Sequence, residues 1–337
     1  MDTLTDTLCR PLRDLRVSLI DACNLRCRYC MPTEQFSPDH RFLRPAERLS
    51  DEEVLRFIRI FVECGVSKIR LTGGEPLLRP GVAQLIGRIR EIPGITDIAL
   101  TTNGVHLAKF AAALREAGVD RLTISLDAVN RATLARLAGR AVDPKAILDG
   151  AIAARDVGFQ QTKINMVAMR GWNEDHILPL AELGREHDFI VRFIEYMDVG
   201  TMNQWQREDV IPAREIHDLI HERYPLEPAD PLYRGEVARR YRYLDGGGEI
   251  GLISSVTEPF CHECSRARIS ADGFLFTCLF GTSGLDLRTL MLAGADDSEL
   301  RKTVESHWQA RTDRYSADRL QLKGQTTGKV EMYHIGG

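Results

Sequence analysis

The sequence predicts an α/β protein built on a parallel sheet, and three observations predict it. Short apolar, β-branched runs recur at 16–20, 68–71, 97–100, 121–126, 162–168 and 190–194; amphipathic helical stretches separate them; polar residues gather just after each run. Strands alternating with helices pair in parallel and wind in one hand, as an open doubly wound sheet or as a partial barrel. Periodicity alone does not choose between the two. At 337 residues the chain suits one long α/β domain with a smaller extension, and 44% hydrophobic with 27% charged residues is an ordinary globular composition. A net charge of −4 argues against general nucleic-acid binding, so any anion site must be local. No apolar run reaches membrane-spanning length and no secretory leader is apparent, which sets the expectation of a cytoplasmic protein without a membrane partner.

Taken in order, the first run leads into a cysteine-bearing loop. A helix then starts at Ser50, where Glu53 completes a capping box; it buries Val54, Phe57, Ile58, Phe61 and Val62 and stops at Gly65. Further helices are read at 81–90, 107–117, 144–157 and 172–187. After the second strand comes Thr72-Gly73-Gly74-Glu75-Pro76, and after the third Thr101-Thr102-Asn103-Gly104. Ser125 and Asp127 end the fourth strand, Lys163 and Asn165 sit on the fifth, and Glu195, Tyr196 and Met197 end the sixth. Any one of these could be a cap or a turn. Together they mark the strand C-termini, where α/β proteins place their sites.

The loop after the first strand reads Cys23-Asn-Leu-Arg-Cys27-Arg-Tyr-Cys30, a C-x3-C-x2-C array with no fourth cysteine nearby. A four-iron cluster held by three thiolates keeps one iron open. Zinc is the competing reading, although it usually takes four ligands from paired C-x2-C halves. This array, with Tyr29 in the aromatic slot, resembles the cluster motif of radical S-adenosylmethionine (SAM) enzymes, and Gly73-Gly74-Glu75-Pro76 resembles their GGEP segment. The resemblance implies an incomplete six-unit β/α barrel and a [4Fe-4S] cluster on Cys23, Cys27 and Cys30. It further implies SAM contacts from Tyr29, Gly74, Ser125 and Met197, and reductive cleavage of SAM to a 5′-deoxyadenosyl radical.

Far downstream stand Cys261-His-Glu-Cys264 and then Cys278, a second triplet. Zinc on these three plus His262 stays open on spacing alone, though His262 lies inside the C-x2-C loop and is poorly placed to complete a tetrahedron. Arg266 and Arg268 follow, alternating as on a strand so that both share one face, and two guanidiniums beside a metal suit a polyphosphate. Here the chain resembles the GTP 3′,8-cyclase family of molybdenum-cofactor biosynthesis over essentially its full length. That resemblance implies a second [4Fe-4S] cluster on Cys261, Cys264 and Cys278. GTP contacts would come from Arg16, Arg70, Thr101, Lys163, Arg266, Ala267 and Arg268, with Arg192 left open. A terminal Gly336-Gly337 would enter the active site. No catalytic acid–base pair is required, because SAM and the cluster carry the radical chemistry.

The expected division is 1–210 for the barrel and 211–337 for the region holding the second cluster, the GTP contacts and the tail. Implied partners are the GTP substrate, cyclic pyranopterin monophosphate synthase acting on the product, and a reductant such as flavodoxin or ferredoxin; a homodimer is left open. Cys9 and Cys64 match no ligand position, and Cys64, beside a helix end, reads as a packed thiol. Two other readings stand beside this one: a radical SAM maturase of peptides, and a non-enzymatic zinc-binding regulator.

Overall fold

The structure, a computed structural model, describes residues 3–37, 39–319, 321 and 328–336. Six parallel strands form its centre: β1 (Asp14–Ser18), β2 (Lys68–Thr72), β3 (Asp97–Thr102), β4 (Arg121–Ser125), β5 (Lys163–Ala168) and β6 (Ile190–Glu195). Between them run α1 (Asp51–Glu63), α2 (Val82–Arg90), α3 (Leu107–Glu116), α4 (Arg131–Ala138), α5 (Pro144–Asp156) and α6 (Ile177–His187). The Ser50–Glu53 capping box is present at α1, where Val54, Phe57, Ile58 and Phe61 are buried. α4 was not expected. It is a short helix capped by Asn130, whose side chain accepts from the Thr133 N–H, and closed by Gly139.

The later chain supplies α7 (Ala213–Arg223), β7 (Leu226–Ala229), β8 (Arg239–Tyr243), β9 (Glu249–Ile253), β10 (Arg266–Ile269), β11 (Phe274–Phe276) and β12 (Leu285–Asp286). Helices α8 (Leu287–Leu292), α9 (Asp297–Gln309), α10 (Tyr315–Asp318) and α11 (Met332–Ile335) end it. One twelve-stranded sheet results, in the order β12-β11-β10-β1-β2-β3-β4-β5-β6-β9-β8-β7. β10 runs parallel to β1 and β9 parallel to β6, so each edge of the six-stranded centre gains one parallel strand before an antiparallel pair closes it off. The sheet does not pair end to end among the described residues, as an incomplete barrel requires.

Side chains alternate across this sheet with period two. Leu15, Val17, Ile69, Leu71, Ile98, Leu100, Ile164, Met166, Val191 and Phe193 face the helices in one continuous core. The intervening residues, including Arg16, Arg70, Lys163, Asn165 and Arg192, are less buried and face the barrel lumen. The expected first strand, 16–20, sits two residues early because the chain after Leu19 must meet Gly73-Gly74. A Cβ on Gly73, whose φ is +146°, would lie 2.3 Å from the Ile20 carbonyl oxygen, so only glycine allows that approach.

Candidate active site

Cys23, Cys27 and Cys30 follow the C-terminal end of β1. Cys261 and Cys264 precede β10, which is parallel to β1, and Cys278 follows β11, which runs back antiparallel. The two triplets therefore stand at opposite ends of one lumen, separated by the strand length, about 17 Å for five residues at roughly 3.3 Å each. All six thiols are unpaired and half-buried. Among the described residues no three His, Cys, Asp or Glu side chains converge on a single-ion site. Each triplet instead offers three thiols, the donor type that iron–sulfur clusters take. N–H groups also point at the sulfurs: Leu25 N–H lies 3.4 Å from Cys23 Sγ and Phe280 N–H 3.5 Å from Cys278 Sγ. The donor sets therefore fit the clusters that the motifs imply.

Electrostatics separates the triplets. Burial raises the thiols of Cys23, Cys27 and Cys30. Burial also raises Cys278, to about 11, with Asp313 adding to it. At Cys264 burial pushes the same way but is outweighed by Arg266 and Arg311, which bring the thiol to about 6.

Around the first triplet the GGEP and Thr-Thr-Asn-Gly segments interlock. Gly74 donates its N–H to the Ile20 carbonyl at 2.6 Å and Glu75 donates to Ala22 at 2.9 Å, tying both to the loop that leads into Cys23. The Glu75 carboxylate accepts from the Thr102 hydroxyl and the Asn103 N–H, each at 2.7 Å, and burial raises it to about 7. Asn103 Nδ2 donates to Asn24 Oδ1 at 2.7 Å and reaches 3.8 Å from Cys23 Sγ. Tyr29 donates to Asp127 at 2.9 Å, and Asp127 accepts from Val167 N–H at 2.9 Å. Ser125 and Met197 close β4 and follow β6 at the same end of the barrel. Glu75, Asn103, Asn24 and Asp127 are thus site-building residues; the sequence placed Glu75, Asn103 and Asp127 at the strand C-termini without giving any of them a role.

The lumen itself is cationic. Register puts Arg268 opposite Arg16 and Arg16 opposite Arg70, three arginines abreast on β10, β1 and β2. Like charges side by side on neighbouring strands destabilise a sheet. Burial first, then Arg268, Arg266 and Arg70, hold Arg16 well below the usual guanidinium range; burial and Arg266 bring Arg268 to about 10. Arg70 Nη1 donates to the Thr101 hydroxyl at 3.1 Å, which places Thr101 in the same group. Arg192 joins it, its Nε donating to Asn165 Oδ1 at 2.9 Å and its Nη2 to the Thr123 hydroxyl at 3.3 Å. Lys163 lies beside Thr123, lowered to about 8 by burial and then by Arg192, Arg121 and Arg70. Ala267 sits between the two β10 arginines with its side chain on the core face.

The tail reaches this group. Arg268 Nη1 donates to the Gly336 carbonyl, and a Cβ on Gly336 would stand 2.3 Å from Thr72 Cγ2. Gly337 lies outside the described residues. Upstream, Lys329 Nζ donates to Asp198 at 2.8 Å, and Glu331 accepts from the Thr201 N–H and hydroxyl at 2.7 and 2.8 Å. Neither latch was visible in the sequence. Cys64 is buried and Cys9 exposed, away from both triplets in the chain. No helix among the described residues is long and apolar enough to cross a membrane.

Comparison with known proteins fits this geometry. The radical SAM superfamily pattern matches residues 17–184, and the pattern described as Molybdenum Cofactor Synthesis C matches residues 189–317. The GTP 3′,8-cyclase of Acidothermus cellulolyticus is 46% identical, with 99% of each chain covered. Those of Xanthomonas axonopodis pv. citri and Staphylococcus haemolyticus are 47% and 42% identical, again with 99% of each chain covered. Among solved structures, Streptococcus suis SuiB bound to S-adenosylmethionine superposes with a TM-score of 0.59 at 16% identity, covering 88% of this chain and 68% of that one. That likeness is one of fold alone.

Proposed function

The chain belongs to the GTP 3′,8-cyclase family of radical SAM enzymes, and from that premise we propose how its residues convert GTP to 3′,8-cyclo-7,8-dihydro-GTP, the first step of molybdenum-cofactor synthesis. The observation that carries this is the arginine row Arg268–Arg16–Arg70 in a lumen with a cysteine triplet at each end. Buried cations set against one another are costly, and a polyphosphate gives them their partner. A peptide substrate would leave that charge unanswered.

In this reading Cys23, Cys27 and Cys30 would hold one [4Fe-4S] cluster, and Cys261, Cys264 and Cys278 a second, which would supply a coordination position for the substrate. When bound, the first cluster and SAM supply a radical able to take a hydrogen atom from C3′ of the ribose. The protein's share is position. Gly74, through its carbonyl, receives the SAM ammonium, and Tyr29, Ser125 and Met197 bound the adenosine. Arg16, Arg70, Lys163, Arg266, Arg268 and Arg192 grip the triphosphate, Thr101 orients Arg70, and Ala267 keeps the β10 backbone close. Gly336, held by Arg268, fills part of the remaining space and helps to exclude water. We keep the division at residue 210: the first part presents SAM, and the second brings the other cluster and the tail. The product passes to cyclic pyranopterin monophosphate synthase, and a flavodoxin- or ferredoxin-type protein is the electron source.

The test is anaerobic incubation of cluster-loaded protein with SAM, reductant and GTP. GTP-dependent release of 5′-deoxyadenosine with formation of the cyclised nucleotide is expected. Release that is indifferent to GTP would overturn the assignment.

A further inference from the structure

The N-terminal strap contributes two charged residues, fully buried, that the proposed chemistry does not use. Asp6 and Arg10 pair at 2.6 Å, their side chains 0% and 1% exposed, and the Asp6 carboxylate also accepts from the Leu8 and Arg10 N–H groups at 2.9 Å each. Arg311, 1% exposed and about 300 residues away in sequence, stands 3.5 Å from the same carboxylate. Both guanidiniums then reach the turn that carries two cluster cysteines. Arg10 Nη1 donates to the Cys261 carbonyl at 2.9 Å, and Arg311 Nη1 to the Cys264 carbonyl at 2.8 Å. The arrangement is locked from behind: Trp308 Nε1 donates to the Arg10 carbonyl at 3.2 Å and Thr7 donates to the Arg311 carbonyl at 2.7 Å.

Stability alone accounts poorly for this group. The Asp6 carboxylate serves two buried cations, the partly exposed Asp313 carboxylate stands 3.5 Å from Arg311 Nε, and buried ion pairs of this kind are often no more stable than an apolar filling. Arg10 Nη2 is buried without a hydrogen-bond partner among the described residues. An anion beside the Cys261–Cys264 turn would face both guanidiniums, which already hold that turn by its carbonyls. Three thiolates on a four-iron core carry net negative charge, and more after accepting one electron.

We propose that Asp6, Arg10 and Arg311 are positioning residues of the second cluster, fixing the Cys261–Cys264 turn through its carbonyls, with the two guanidiniums held at that turn favouring the reduced state. This rests on the reading of Cys261, Cys264 and Cys278 as cluster ligands. Removing a cation then makes that cluster harder to reduce, and removing the anion makes it easier. A scaffold role predicts no such opposition of sign.

The experiment uses the full-length chain reconstituted anaerobically with iron and sulfide, in a Cys23→Ala background so that the second cluster is observed alone. Iron content and the midpoint potential, from a dithionite titration followed by electron paramagnetic resonance, are the readouts. Arg311→Met should shift the midpoint to more negative values and Asp6→Asn to more positive ones, with iron near four per chain in both. Midpoints equal to that of the parent in both variants would overturn the proposal. Asn keeps the acceptor for Leu8 and Arg10, so Asp6→Asn decides the matter by itself if Arg311→Met does not fold. A parent protein that binds no iron would instead sink the second cluster, a separate failure.

Discussion

Lys163 opens β5 opposite Thr123 and beside Ile190, and its ammonium meets the barrel's other cations with no phosphate present. Burial, then Arg192, Arg121 and Arg70, bring its pKa from 10.5 to about 8. That gap corresponds to about 3 kcal/mol spent on keeping the charge among its neighbours, and partial access of water reduces it to about 2 kcal/mol. The folded pKa lies below the unfolded one, so between pH 8 and 10.5 the unfolded chain binds more protons and folding stability rises with pH. Below pH 8 the penalty is present in full. Lys163→Met should therefore make the substrate-free protein more stable at pH 7, by up to about 2 kcal/mol, with the advantage gone by about pH 10.5. The same variant should lose about 1.5–3 kcal/mol of GTP binding, the range for a charge-assisted hydrogen bond. Urea unfolding at pH 7 and pH 10 gives the first quantity and calorimetry the second. A variant less stable than wild type at pH 7, or equally favoured at both pH values, would refute the claim that Lys163 is held charged against its neighbours.

Other expectations address the remaining parts of the site. Cys27→Ala should abolish SAM cleavage while keeping about half the iron, whereas Cys264→Ala should keep the first cluster and lose GTP turnover; unchanged iron in both variants would contradict the two-cluster reading. Arg268→Ala should weaken GTP binding by about 1.5–3 kcal/mol, with SAM binding nearly unaffected; wild-type affinity by calorimetry would make the arginine purely structural. Asp198→Asn leaves Arg319 and Lys329 buried without their carboxylate, so stability in urea should fall by about 3 kcal/mol; an unchanged midpoint would remove the latch from the account. Deleting Gly336 and Gly337 should preserve folding and iron but lower cyclisation by about 100-fold or more; near-normal turnover would mean the tail only rests in the lumen.

What was legible in the sequence was local. The Ser50–Glu53 box, the β-branched runs and both cysteine spacings are each contained within a few residues, and the structure bears out the helix start and the strand order they imply. The eight-residue α4 escaped notice because its Arg-Ala-Thr-Leu-Ala-Arg-Leu-Ala stretch spans barely two turns, too short for a helical period to stand out. β9 and β10 escaped assignment to the barrel because their partners lie far off in the chain: Ile250 pairs with Val191, and Arg266 with Asp14. The same distance hid Glu331 from Thr201 and Lys329 from Asp198.

The arginine row shows why local legibility runs out where function begins. Arg16, Arg70 and Arg268 each sit in an ordinary strand, each flanked by apolar residues that face the core, and a pattern of this kind reads equally well as a solvated edge. Only the order β10-β1-β2, together with a register that aligns all three, sets them side by side in the lumen. Had β10 slipped by one residue, Arg266 and Arg268 would have turned to the core face and Ala267 to the lumen. The charge proposed to recognise a triphosphate is therefore a property of strand pairing across about 250 residues of chain, and the folding energy that the core supplies is what keeps those like charges together.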